Sequence, residues 1–193
     1  MYGWNNQKDS AQNKMKKMVF LFIFVANMAT GQTFSGRFDT RNSNIAIDSY
    51  KSFTKGYNSY LLVTSSGYAM ATAGKSFQVT KELTIGASLG IQTGNIELPV
   101  LVATDIFWSH KKISLLVLAQ TTVENPQRNA WYKIEFKYSG KIVSPYIFAQ
   151  RYVGAGILTD AKISKSVTLF GGPLYDIDAQ GWNIPIGIKI NMN

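Results

Sequence analysis

From residue 57 onward, apolar and polar side chains alternate in segment after segment. A period of two places each set on one face of a β-strand. The last segment is the clearest. Trp182, Ile184, Ile186, Ile188, Ile190 and Met192 form one face, and Asn183, Pro185, Gly187, Lys189 and Asn191 form the other. Leu83, Ile85, Ala87, Leu89 and Ile91 alternate with Thr84, Gly86, Ser88, Gly90 and Gln92. Tyr132, Ile134, Phe136 and Tyr138 alternate with Lys133, Glu135 and Lys137. Less regular strands are predicted at 97–109, 112–123, 141–152, 156–164 and 167–176, with a pair at 57–65 and 67–79. Two short, weak strands are compatible with 33–40 and 45–51. No segment of ten or more residues carries a 3.6-residue apolar period.

The turns set the rhythm. Tight, lysine-bearing turns fall at Thr80-Lys81-Glu82, His110-Lys111-Lys112, Ser139-Gly140-Lys141 and Ser164-Lys165-Ser166, spaced 24 to 30 residues apart. Between them lie Thr93-Gly94-Asn95, Glu124 to Asn129, Val153 to Gly156 and Asp176 to Gly181. One hairpin per repeat gives strands of roughly 11 residues, long enough when tilted to cross the hydrocarbon of a bilayer. Placing the lysine turns in the periplasm brings the final strand inward to end there. The expected fold is an all-β, antiparallel up-and-down transmembrane β-barrel. About ten strands are counted, with eight or twelve also compatible, and the barrel is expected over 57–193 after an N-terminal segment at 32–56.

Composition fits this. Charged residues make up 16% of the 193, against about 25% in soluble domains. Mean hydropathy is −0.04, and no apolar run reaches the roughly 20 residues of a spanning helix. The absence of cysteine excludes disulfides, thiolate metal sites, a cysteine nucleophile and a lipidated N-terminal cysteine. Residues 15–31, MKKMVFLFIFVANMATG, have the layout of a secretory signal peptide. Lys16 and Lys17 precede nine apolar residues, and Ala29 and Gly31 stand at −3 and −1 of a cleavage point before Gln32. Initiation at Met15 accounts for residues 1–14, which otherwise form a polar extension. Removing residues 1–31 leaves 16 basic and 10 acidic residues. They are dispersed, with no basic stripe of the kind nucleic-acid binding uses.

Alternation alone does not say which face is outside. The polar faces carry Gly86, Ser88, Gly90, Asn183 and Gly187, too small and too weakly charged for a water-exposed surface but suited to a narrow lumen. Trp108, Trp131, Tyr138, Tyr152, Tyr175 and Trp182 gather near strand ends as a candidate aromatic girdle. Closure also removes exposed strand edges. On these registers Asp105, Lys133, Glu135, Lys137, Asp160, Lys162 and Lys189 point into the lumen, with Gln92 and Gln120.

The leader, the hairpin rhythm and the terminal WNIPIGIKINM resemble small outer-membrane β-barrels of the OmpA/OmpX type. The likeness is architectural and carries no diagnostic motif. It departs at the C-terminus, where Asn191-Met192-Asn193 replaces the aromatic residue with which many such barrels end. The resemblance implies the outer membrane as location. It implies lipid, lipopolysaccharide and the barrel-assembly machinery as partners, and a monomer. Barrel enzymes of similar architecture, such as lipid A deacylases, phospholipases and omptin proteases, place a histidine near the outer rim. The one histidine here, His110, lies in a lysine turn on the expected periplasmic side. Asp176-Ile177-Asp178 is a turn or a weak calcium or lipopolysaccharide contact. Gly154-Ala155-Gly156 and Gly171-Gly172-Pro173 precede no helix and are not phosphate loops. No catalytic, cofactor or metal site is expected. Three functions follow: a structural, adhesive or surface-interaction barrel; a small passive channel with a basic, weakly anion-selective lumen; or a secreted soluble barrel binding an apolar ligand.

Overall fold

In the computed structural model, residues 33–93, 100–124, 126 and 129–192 are described. The expected signal segment at 15–31, its cleavage point and the extension 1–14 lie outside them. The strands are β1 Thr33–Asp39, β2 Asn44–Ser52, β3 Tyr57–Thr64, β4 Ala69–Gln78, β5 Leu83–Gln92, β6 Val100–His110 and β7 Ile113–Thr122. They continue as β8 Trp131–Tyr138, β9 Val143–Gln150, β10 Gly154–Lys162, β11 Val167–Gly171, β12 Leu174–Asp176, β13 Gly181–Asn183 and β14 Pro185–Asn191. Every pairing is antiparallel between neighbours, and β1 against β14 and β10 against β11 complete the ring.

Twelve strands close the barrel, not about ten. The two weak segments near the N-terminus are full members. β1 pairs along its whole length with both β14 and β2, Phe34 opposite Ile190 and Phe38 opposite Ile186. Only Phe34, Gly36 and Phe38 form the outer face of β1, so its apolar signal is weak. The barrel therefore includes the described residues from Thr33 on, ahead of the boundary expected at 57. The remaining short strands, β12 and β13, extend the β11–β14 hairpin. Leu174 pairs with Asn183 in the register that continues from Gly171 opposite Ile186, across a break at Gly172-Pro173 on one side and Ile184 on the other. Gly172 has φ +155, and Pro173 has no N–H for the ladder.

The alternation sorts side chains as a membrane barrel does. On β14 and its extension, Trp182, Ile184, Ile186, Ile188, Ile190 and Met192 are all exposed on the outside. Of the buried residues, Tyr146, Phe148, Leu158 and Leu174 point inward and cluster with Val153, and Asp160, Gln120 and Gln150 share the interior with them. An apolar exterior around a polar interior is the arrangement required in lipid.

The two ends differ. Turns 53–56, 79–82, 111–112, 139–142 and 163–166 lie at the end where β1 begins and β14 finishes. They carry Lys55, Lys81, Lys111, Lys112, Lys141 and Lys165, so Lys55 adds a fifth beat to the rhythm. Lys55 and Lys111 sit at positive φ, 63 and 52. This is the lysine end. At the opposite end four connections are also short, 40–43, 65–68, 151–153 and 177–180, each spanning at most four residues, while 93–99 and 123–130 span seven and eight and lie partly outside the described residues.

Candidate functional site

The lumen is divided lengthwise. An arc from β8 round to β2 carries nearly all its charge. Lys189 Nζ donates to both oxygens of Asp160, at 3.0 and 3.1 Å, reaching over β11, and Lys137 donates to the same carboxylate. Lys133 Nζ lies 2.8 Å from Glu135. Toward the opposite end Arg37 pairs with Asp39 at 3.0 Å and donates to Gln150 on β9 at 3.4 Å. Asp48 accepts from Ser35 and faces Lys133, Arg37 and Lys189. Aromatic rings fill the space between. Lys189 Nζ lies 5.1 Å from the Tyr146 ring and 4.9 Å from that of Phe170. Pairing buried charges in this way removes the cost of holding them out of water.

The facing arc, β3 to β7, is neutral apart from Asp105. Its carboxylate lies over Gly86, where any Cβ would collide with it. It has no hydrogen-bond or ion-pair partner among the described residues. Here the wall stands back and leaves a cavity of about 710 Å³, lined by Asp105, Tyr50, Asn58, Phe107, Leu118 and their neighbours, reaching Ser52, Gly56 and Gln78 near the lysine end. A second cavity of about 320 Å³ opens toward the opposite end, among Arg37, Asn44, Tyr68, Gln150 and Arg151. Gln120 and Trp131 line both. They form a neck, held from behind by Met70, whose Sδ accepts from Gln120 Nε2 at 3.1 Å.

The inward-facing expectations divide accordingly. Lys133, Glu135, Lys137, Asp160 and Lys189 come together in the charged arc, Asp105 faces the large cavity, and Lys162 is exposed where β10 ends. Arg37, Asp39 and Asp48 were not expected, because they sit on the two weak strands. Their parity with Thr33 and Ser35 was the available signal. They change the balance. Among the described strand residues five inward cations (Arg37, Lys133, Lys137, Lys162, Lys189) meet six carboxylates (Asp39, Asp48, Asp105, Glu135, Asp160, Asp176), the last paired with Arg41 of a turn, so a basic lumen does not follow.

The girdle expectation needs one correction. Trp131 points into the lumen, because it pairs with inward-facing Gln120 and shares parity with Lys133 on β8. Trp108 and Tyr138 face outward at the lysine end, Trp108 stacked on His110 at 6.3 Å. Tyr175 and Trp182 meet edge-to-face at 5.5 Å on the outside near the other end. Tyr152 sits in a turn beside the smaller cavity with φ +68.

His110 Nδ1 lies 2.6 Å from Glu82 Oε1, and both side chains are exposed. Asp176 Oδ1 accepts the N–H groups of Asp178 and Ala179, and its other oxygen pairs with Arg41, so this acid holds a turn. Among the described residues no three metal-ligating side chains converge.

No protein-family profile and no curated protein matches this chain. Among solved structures it is similar to a KdgM porin in complex with disordered oligogalacturonate, with TM-score 0.63 and 8% identity over 83% of this chain and 99% of that one. A second KdgM porin structure gives TM-score 0.60 at 8% identity, and the NanC porin 0.55 at 7%, with the same coverage. At such identities the likeness is one of fold. It is to porins, and supports the closed barrel rather than the OmpA/OmpX type in particular.

Proposed function

We propose that this chain is an outer-membrane barrel acting as a small passive channel. The observation that carries the reading is the pair of cavities, one toward each end, meeting at the Gln120–Trp131 neck. A barrel serving only as an anchor has no need of a void of 710 Å³ along one wall. The fold likeness to porins, one of them in complex with an oligogalacturonate, supports a path for an elongated solute.

Selectivity on this reading arises at the mouth. The lumen is charge-balanced, whereas the lysine end gathers six turn lysines, with Glu82 already occupied by His110. A ring of one sign raises the local concentration of counter-ions by focusing the field. A weak preference for anions follows, strongest at low salt because the Debye length shrinks to about 8 Å at physiological ionic strength. Planar-bilayer recording under a potassium chloride gradient tests this. Discrete steps are expected, with a reversal potential displaced toward chloride and less so at high salt. Inserted protein that gives no steps overturns the channel.

A further inference from the structure

Two strand lysines at the lysine end sit on the outside of the barrel rather than in its mouth, and one turn lysine, Lys112, reaches an outward-facing ring. Lys75 is on β4, with its Nζ 5.4 Å from the Tyr57 ring and 5.2 Å from that of Phe77. Lys51 is on β2, 4.7 Å from the Phe53 ring. Lys112 lies 5.9 Å from the Tyr138 ring. Lys51 and Lys75 have the parity of the exposed apolar face, Tyr57 pairing with Lys75 and Lys51 with Ser59, while Lys112 reaches Tyr138 from the turn before Ile113. Phe53, Tyr57, Phe77 and Tyr138 are themselves about half exposed. Each ammonium therefore stands at the edge of the apolar band with its stem along aromatic rings, where a long cationic side chain reaches for headgroup depth.

None of these lysines has a carboxylate within ion-pair distance among the described residues. A cation at the rim of hydrocarbon is costly without an opposite charge, and the protein does not provide one. Lys51 and Lys75 flank β3 with an offset of two residues along the strands, so their Cα atoms stand roughly 12 Å apart. The row of Lys51 continues across the outer face through Ser59 to Ala73, both small, and Ala73 stands two residues before Lys75 on β4.

We infer that Lys51 and Lys75, with Tyr57 between them, form a seat for the phosphate of an anionic glycerophospholipid, and that Lys112 beside Tyr138 extends the same preference along the ring. This rests on the membrane reading above. The phosphate accepts from the two ammonium groups, and the Phe53, Tyr57 and Phe77 rings lie against the glycerol and upper acyl carbons. The source is phospholipid rather than lipopolysaccharide because these lysines lie at the end with both strand termini and the tight turns, the end that the hairpin topology directs to the periplasm. Of the basic residues described at the other end, Arg41 is paired with Asp176 and Arg151 donates to the Ala130 carbonyl.

The test offers the full-length chain, folded in a zwitterionic detergent, equal amounts of phosphatidylglycerol and phosphatidylcholine. Retained lipid is counted by mass spectrometry of the intact complex. Retention of phosphatidylglycerol over phosphatidylcholine by about tenfold is expected, the scale of one to two lysines acting at a lipid surface. The Lys51→Gln/Lys75→Gln double variant brings the ratio close to one, while Lys141→Gln/Lys165→Gln, in turns away from β3, leaves it. Equal retention by the unaltered chain overturns the seat, as does a preference that survives the first double variant or yields to lipid A. Insertion into neutral phosphatidylcholine vesicles is expected of all forms. Failure of the unaltered chain to insert into any vesicle would instead remove the membrane reading itself.

Discussion

Replacing Asp160 with asparagine puts the charged arc to a direct test. Asp160 is 3% exposed and serves two lysines at once, Lys137 from β8 and Lys189 from β14. The asparagine keeps the shape and one acceptor but removes the charge. Two ammonium groups then face one another across β9 to β11 with no counter-charge, beside the Tyr146 and Phe170 rings. Removing one partner of a buried ion pair costs about 3–5 kcal/mol. Both lysine side chains retain roughly a quarter of their exposure, so water in the lumen relieves part of that, and a loss of about 3 kcal/mol is expected. At 1.4 kcal/mol per decade this is more than a hundredfold in the folding equilibrium. The assay is urea unfolding of the barrel in detergent micelles followed by tryptophan fluorescence, with heat-modifiable gel mobility as a second readout. Adding Lys189→Met to Asp160→Asn recovers part of the loss, because one stranded cation is gone and its stem is replaced by an apolar one of similar length. An unchanged midpoint and slope for Asp160→Asn refutes the reasoning: the lysines would then be solvated by the lumen and the arc would not be a structural element.

Further expectations follow from other parts of the barrel. Trp131→Ala widens the neck between the two cavities and raises single-channel conductance while leaving ion preference unchanged; equal conductance would place the resistance elsewhere. Ile186→Arg sets a charge in the middle of the outer face of β14 and costs about 2–4 kcal/mol of folding into lipid vesicles, whereas unaltered folding would turn that face away from the bilayer. Gly187 lies beneath the Phe170 ring, which together with the Gly36 carbonyl blocks any Cβ. Gly187→Val is therefore expected to cost about 1–3 kcal/mol by overpacking, and Phe170→Ala in the same chain should relieve part of it; a melting temperature equal to that of the unaltered barrel counts against this packing.

How far the barrel was legible depends on what each strand shows outward. β8 and β14 alternate long apolar residues with charged or small ones, and both were readable residue by residue. β9 was harder. Ser144, Tyr146, Phe148 and Gln150 point inward and Val143, Pro145, Ile147 and Ala149 outward, so large apolar residues occupy both faces and the period is blurred. β1 and β2 were weaker still. Their outer faces include Gly36 and Ser49, and they are held by their neighbours more than by their own hydrophobicity. The inward parity of Lys133, Glu135, Lys137, Asp160 and Lys189 could be read along single strands. Their partners could not, since Asp160 and Lys189 meet only after β11 and β14 are in register. The neck was hidden for a similar reason: Trp131 looks like a girdle residue by position and is a lumen residue by parity.

The pairing of Thr33 with Asn191 also bears on how the chain reaches its folded form. Nearly every other strand meets a neighbour next to it in sequence, so most of the sheet can grow by local zippering. The last seam joins residues from opposite ends of the chain. Its entropic cost rises only as the logarithm of the intervening length, about 0.6 kcal/mol per doubling, which is minor for stability. Its kinetic weight is larger, because contacts distant in sequence form slowly. Until the seam closes, β1 waits with a bare edge, and each newly added strand bares another. A chain with this topology spends its vulnerable period as an open, sticky ribbon, and closure is the event that ends it.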